Sequence, residues 1–263
     1  MEDLFLKLQE IVKNIATNLD ANVLLQNVES KAAQDYVTEL DITLQNNLSK
    51  QLKTILPNAT IYGEENLSQA VTISEEAIIM DPLDGTFNAI GQIPFYGISL
   101  AYLKKQEPLI AITYDLANNE IFAALRGSGM FINGQKITSK HDAKPKKAIA
   151  LSSEFLEKSA LQKPEIILEI RKTARIRMLG SQALQLAYVA CGRLRSNINL
   201  EAKYWDDIAG YVMLKEMGYK YCDFKGNKIF PKNQLDPQEN LCSIAYHPDD
   251  ELDLIKLTQD LND

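Results

Sequence analysis

Asp81-Pro82-Leu83-Asp84-Gly85-Thr86 holds two carboxylates three residues apart around a proline. Pro82 fixes its own φ, and Gly85 permits a positive φ or a close backbone approach. Two carboxylates held that close repel each other unless a cation sits between them. Hard divalent cations such as Mg²⁺ prefer carboxylate and carbonyl oxygens. The N–H groups of Gly85 and Thr86 can point at an anion, as at a helix N-terminus or a backbone nest. One short segment thus offers metal ligands and a phosphate cradle. Two further acidic pairs stand out, Glu64-Glu65 after Gly63 and Asp206-Asp207 after Trp205. Each cluster alone has a plain explanation. Asp-Pro and Asp-Gly are common in turns, Glu64-Glu65 reads as a solvated pair, and Asp206-Asp207 reads as an N-cap and a first-turn acid. Three such clusters, each at the end of an element, are harder to explain that way.

The elements that must position them are legible from periodicity. Leu4, Leu8, Ile11 and Ile15 predict an amphipathic first helix. Leu44, Leu48, Leu52 and Ile55 predict a second, stopped by Pro57 and Asn58, with Val37-Thr38-Glu39-Leu40-Asp41 just ahead of it. Strands are predicted at 59–62, running into the Glu64 pair, and at 77–80, running into Asp81. A long antiparallel run follows in GISLAYL, PLIAITYD and EIFAAL, with turns at Asn118-Asn119 and Arg126–Gly129 and a hairpin at Asn133-Gly134. Lys140 to Lys147 is a basic, polar stretch and the best internal boundary. Beyond it, strands in AIALSS, ARIRML, SNINL, YKYCDF and 241–245 alternate with helices over 163–170, 182–191 and 206–217, and a last helix starts from Pro248. The first half is therefore α+β and the second α/β.

Composition narrows the field. The chain has 263 residues, 46% hydrophobic and 24% charged, which excludes disorder and low-complexity structure. A net charge of −7 argues against general nucleic-acid binding, which needs a surplus of Lys and Arg. An anionic substrate would then need a metal or backbone N–H groups. Cys191, Cys222 and Cys242 are odd in number and widely spaced, and the histidines are His141 and His247, so a disulfide framework or a Cys/His zinc site is not expected. The N-terminus lacks a signal-peptide core, and the longest uncharged run, Gly85–Leu103, is broken by glycines and Pro94. A cytoplasmic protein without membrane segments is the expectation.

The motifs together resemble the inositol monophosphatase family of Mg²⁺-dependent, lithium-sensitive phosphatases. Gly63-Glu64-Glu65 matches its GEE segment. Asp81–Thr86, with Asn88 two further on, matches its DP(I/L)DGTxN signature, and Trp205-Asp206 with Ala209-Gly210 matches WDxAAG. Arg177, Gly180-Ser181 and Ala187–Ala190 match the segment before it, so the resemblance covers nearly the whole chain.

The resemblance implies a layered αβαβα sandwich, one catalytic domain with an α+β lobe over about 1–140 and an α/β lobe over about 141–263, and a homodimer. It implies that Glu64, Asp81 and the Leu83 carbonyl hold one Mg²⁺, and that Asp81, Asp84 and Asp206 hold another about 3.5–4 Å away, with two or three ions per site. Asp41 and Thr86 would orient the attacking water, Glu65 would support it, and the Gly85 and Thr86 amides would bind phosphate. The substrate would meet Asp84, Ser181, Gln182, Asn199 and Asp206. At two of these positions the chain departs from the family pattern: Gln182 stands where a small Ala is usual, and Asn199 where a Glu is usual. The implied activity is hydrolysis of a small phosphorylated polyol, inositol monophosphate first. The alternatives are 3′-phosphoadenosine 5′-phosphate, fructose 1,6-bisphosphate or histidinol phosphate, or a regulatory module binding transcription or ribosome-assembly machinery. Arg171–Arg177 reads as a solvated strand edge or as an anion-attracting rim.

Overall fold

The computed structural model describes residues 1–19, 28–32, 35–138, 148–250 and 252–261. The expected boundary at 140–147, with His141, lies outside the described residues. Helix α1 (Glu2–Thr17) buries Phe5, Leu8, Val12 and Ile15 along one face. Strands β1 (Val28–Ala32) and β2 (Asp35–Thr38) form a two-stranded ribbon leading into α2 (Glu39–Ile55). The helix starts earlier than its apolar stripe suggests. Thr38 caps it, and Asp41 at the third helical position bonds back to the Thr38 N–H, a capping box. Asp41 therefore lies inside the helix rather than ahead of it.

The larger sheet has seven strands: β3 (Thr60–Gly63), β5 (Glu76–Asp84), β6 (Gly97–Lys104), β7 (Glu107–Asp115), β8 (Glu120–Leu125), β9 (Gly129–Ile132) and β10 (Gln135–Lys136). Only β3 and β5 pair in parallel; the rest is an antiparallel meander. The strand expected at 77–80 continues through the acidic motif to Asp84, and a short helix, α3 (Thr86–Ile90), follows it. A two-residue ribbon pairs β4 (Val71–Thr72) with β15 (Gln234–Leu235), an element with no sequence signal.

The second half carries a five-stranded sheet of β12 (Arg175–Arg177), β11 (Ala148–Leu151), β13 (Ser196–Ala202), β16 (Leu241–Tyr246) and β14 (Lys220–Cys222) in that order. The helix expected over 163–170 is α5 (Pro164–Thr173), whose first residue is a proline, and a further helix without an expectation, α4 (Ser153–Gln162), capped by Ser152, precedes it. Proline suits a first helical turn and cannot continue a preceding helix. Helices α6 (Gln182–Ala190) and α7 (Tyr204–Glu216) lie close to their expected spans, and α8 (Leu254–Thr258) is shorter than expected, capped by Asp253.

Strand alternation builds the layers. Ile78, Met80, Ile98, Leu100, Ile110 and Ile112 face α1 and α2. Ala77, Ile79, Ala101, Leu103 and Phe122 face the other way, into a core shared with α6, α7, Ala150 and Ala245. Ile149, Leu151, Ile198 and Ile244 pack beneath α4 and α5. The order is α1/α2, large sheet, α6/α7, small sheet, α4/α5, the expected αβαβα sandwich. The cysteines are free thiols, Cys222 buried and the others half-buried.

Candidate active site

A regular strand would send Asp81 and Asp84 to opposite faces, because they are an odd number of residues apart. The register against β6 slips between them: Asp81 pairs with Ser99 and Asp84 with Gly97. That one-residue bulge turns both carboxylates to the same side. Asp206 comes from the third position of α7, and its carboxylate accepts the Lys203 N–H at 2.7 Å. One oxygen from each of Asp81, Asp84 and Asp206 lies within 4.8 Å of the others.

Their surroundings leave the negative charge largely uncompensated. Asp81 accepts the Leu83 N–H at 2.8 Å. Asp84 accepts the Ser181 hydroxyl and the Ala183 N–H, both at 2.6 Å, and so sits on the N-terminus of α6. Burial raises all three carboxyls above their ordinary value of 3.8. Asp84 is pushed up to about 6, and Asp81 and Asp206 rise further in direction because other acids, Glu64 among them, press on them. A divalent cation with oxygen preference is the partner this donor set fits.

Beside the cluster, the Thr86 hydroxyl lies 3.0 Å from Asp41 Oδ1 and 2.9 Å from the Leu83 carbonyl. It has one proton to share between those acceptors. Asp41 is held in turn by the Thr38 N–H at 2.8 Å and the Thr38 hydroxyl, and burial raises its carboxyl. Gly85, at φ 93°, precedes α3 in the left-handed region, and a Cβ there would come within 3.1 Å of the Gly180 carbonyl. The chain thus turns sharply from β5 into α3. Glu64 and Glu65 form a one-turn 3₁₀ helix after β3. Gln45 on α2 accepts the Glu65 N–H at 3.1 Å and is buried.

Gln182 and Asn199 are buried and bonded to each other. Gln182 Nε2 donates to Asp207 Oδ1 at 2.7 Å and to Asn197 Oδ1 at 3.1 Å. Its Oε1 accepts from Asn199 at 2.8 Å and Gln185 at 3.2 Å. Asn199 Oδ1 accepts the N–H groups of Glu201 and Ala202. Asn88 donates to the Phe95 carbonyl at 2.8 Å and the Leu179 carbonyl at 2.6 Å, tying the segment before α6 to the segment after α3.

The structure therefore brings together Asp41, Asp81, Leu83, Asp84, Gly85, Thr86, Ser181 and Asp206. It sets Glu64 and Glu65 at their side, and Gln182 and Asn199 behind Ser181. Arg175 and Arg177 are exposed on the edge strand β12. No site role is assigned from the sequence to Gln45, to Asn88 of the signature, or to Asp207 beyond that of a first-turn acid. Gln45 had a signal: it lies four residues after Asp41, on the same helix face.

Fold and site together define an α/β sandwich built around buried carboxylates arranged for a divalent cation. The chain belongs to the inositol monophosphatase family, whose model matches residues 3–260. It is 32% identical over 214 residues to the fructose-1,6-bisphosphatase/inositol-1-monophosphatase of Thermotoga maritima, covering 80% of each chain. It is 32% identical over 200 residues to the Escherichia coli Nus factor SuhB, covering 74% of each. Among solved structures it resembles the Thermotoga maritima IMPase (TM-score 0.83, 26% identity, 99% and 98% of the two chains). It also resembles an IMPase/NADP phosphatase solved with Mg²⁺ and phosphate (TM-score 0.78, 26% identity, 95% of each). Among the described residues no helix is long and apolar enough to cross a membrane.

Proposed function

We propose that this chain is a Mg²⁺-dependent phosphomonoesterase acting on a small phosphorylated polyol, inositol monophosphate first. The observation that carries this reading is the triad Asp81, Asp84 and Asp206, each contributing an oxygen within 4.8 Å of the other two, beside the Asp41–Thr86 hydrogen bond. Glu64, Asp81 and the Leu83 carbonyl would hold one Mg²⁺, and Asp81, Asp84 and Asp206 another, with two or three ions in all. The chemistry that bound Mg²⁺ supplies there is Lewis acidity, which acidifies a water and offsets charge on the phosphoryl and leaving oxygens.

The chain's own groups do the rest. Thr86 gives its proton to Asp41 and accepts one from the attacking water, so the proton comes to rest on a carboxylate whose burial favours holding it. Glu65, fixed by Gln45, steadies the water. The Gly85 and Thr86 N–H groups bind the phosphoryl oxygens as they approach in line. Asp84, Asp206 and Ser181 face the leaving oxygen, and Gln182 and Asn199 form the wall behind it.

Fructose 1,6-bisphosphate is the first alternative substrate, given the name of the Thermotoga maritima relative. 3′-Phosphoadenosine 5′-phosphate and histidinol phosphate follow. Competition by Li⁺, a homodimer and a cytoplasmic setting belong to the same reading. A second reading, a transcription or ribosome-assembly factor, is favoured by the relatives named Nus factor SuhB at 32–33% identity. Phosphate release from these compounds at saturating Mg²⁺, with Asp84→Asn as the blank, tests the first. One compound should turn over, and Asp84→Asn should abolish it. No turnover of any, or turnover that survives Asp84→Asn, would overturn this mechanism. A cellular phenotype that persists in Asp84→Asn would support the second reading.

A further inference from the structure

Asp207 follows Asp206 on α7, but the helix turns it away from the acidic triad and into the interior. It is fully buried. Its carboxylate accepts only neutral donors among the described residues: Gln182 Nε2 at 2.7 Å, the Tyr221 hydroxyl, and the Ser243 hydroxyl at 3.0 Å. A buried carboxylate without a cationic partner is costly to keep, and no step of the proposed mechanism uses it.

Its place in the fold suggests the use. Gln182 is the first residue of α6. Its two chain neighbours, Ser181 and Ala183, are the residues that hold Asp84, each at 2.6 Å. Asp207 is the chain neighbour of Asp206. One hydrogen bond, Gln182 to Asp207, therefore joins the N-terminal turn that holds Asp84 to the N-terminal turn that carries Asp206. Gln182 has no slack: both amide protons and both carbonyl lone pairs are engaged. The two helices also touch. A Cβ on Gly210 of α7 would lie 2.4 Å from Leu186 Cβ on α6.

We propose that the Asp207–Gln182 hydrogen bond is a strut that sets the spacing of Asp84 and Asp206, which makes Asp207 and Gln182 positioning residues for the cation shared by those two carboxylates. The proposal rests on the cation reading above and adds to it. Groups behind a metal's ligands typically change affinity by roughly 10- to 100-fold when removed.

The hydrogen-bond pattern provides a sharp test. Asp207→Ala removes the acceptor and leaves one Gln182 amide proton without its partner. Gln182 cannot simply turn over, because its N–H groups would then face those of Asn199. Asn199 cannot follow, because its oxygen holds two backbone N–H groups. Asp207→Asn keeps the strut: its amide oxygen accepts from Gln182, and its amide N–H groups donate to the Tyr221 and Ser243 hydroxyls, which can accept as well as donate.

Mg²⁺ affinity is measured by calorimetric titration on the full chain, alongside the melting temperature. Wild type should bind, and Asp84→Asn should lose the ion that Asp84 shares with Asp206. Asp207→Ala should weaken binding about tenfold or more, and Asp207→Asn, which keeps the acceptor, should stay within about twofold of wild type. Ser243→Ala, which removes a donor on the far side of Asp207, should lower the melting temperature and leave Mg²⁺ affinity within about twofold, well short of that loss. If wild type binds no Mg²⁺, the cation reading falls and the strut with it. If wild type and Asp84→Asn behave as expected but Asp207→Ala binds like wild type, the strut alone is overturned. The same holds if Asp207→Asn binds no better than Asp207→Ala, or if Ser243→Ala weakens binding as much.

Discussion

Asp84 accepts two short hydrogen bonds and still has its carboxyl pushed up to about 6, because burial outweighs the donors. The sign of this shift has a consequence. A carboxyl raised from 3.8 to about 6 binds its proton more tightly folded than unfolded. Its contribution to stability is full below about pH 4 and is lost as pH rises through about 6. Asp81 and Asp206 shift in the same direction. The metal-free protein should therefore lose stability as pH rises from about 4 through about 6, and the increase in melting temperature caused by Mg²⁺ should grow across that range. Thermal scans with Mg²⁺ or with a chelator check this, and an increase that shrinks with rising pH would contradict it.

At the scale of elements, the site depends on where helices begin. Asp41 is part of the cap of α2, Ser181 caps α6 while donating to Asp84, and Asp206 closes the first turn of α7. Helix N-termini suit this task, since their dipoles and unpaired N–H groups favour carboxylates. The pair α6 and α7 must also approach closely, which Gly210 allows. Gly210→Val should force the helices apart, lower stability by about 1–3 kcal/mol and weaken Mg²⁺ binding, because the helices carry Ser181 and Asp206. Denaturant unfolding and calorimetric titration measure both. A variant that loses stability but keeps wild-type affinity would show that the spacing of the helices does not set the site.

At the scale of the whole molecule, the shared core draws on residues from Tyr62 to Ala245, so both halves of the chain bury the same apolar volume. The candidate site spans the same division, with Asp81 and Asp84 on one side and Asp206 on the other. Calorimetry should show one unfolding transition that Mg²⁺ moves as a unit. Two separable transitions, only one of them shifted by Mg²⁺, would mean that the halves fold independently.

The sequence by itself determined the composition of the candidate site and most of the elements. Acidic motifs at element ends, apolar stripes at helical spacing and alternating strands are written in residues a few positions apart, where backbone geometry acts directly. The resemblance carried by those motifs extended the reading to a fold class. Other features were decided only by tertiary structure. The bulge that turns Asp81 and Asp84 to one face depends on pairing with β6. The β4–β15 ribbon depends on a partner far along the chain. Gln182 and Asn199 read as groups turned toward a substrate, yet their amides are bonded to each other and to Asp207, Asn197 and Gln185. A polar side chain bonds to whatever donor or acceptor burial brings within about 3 Å, and for Gln182 all of those groups but Gln185 stand fifteen to twenty-five residues away in the chain.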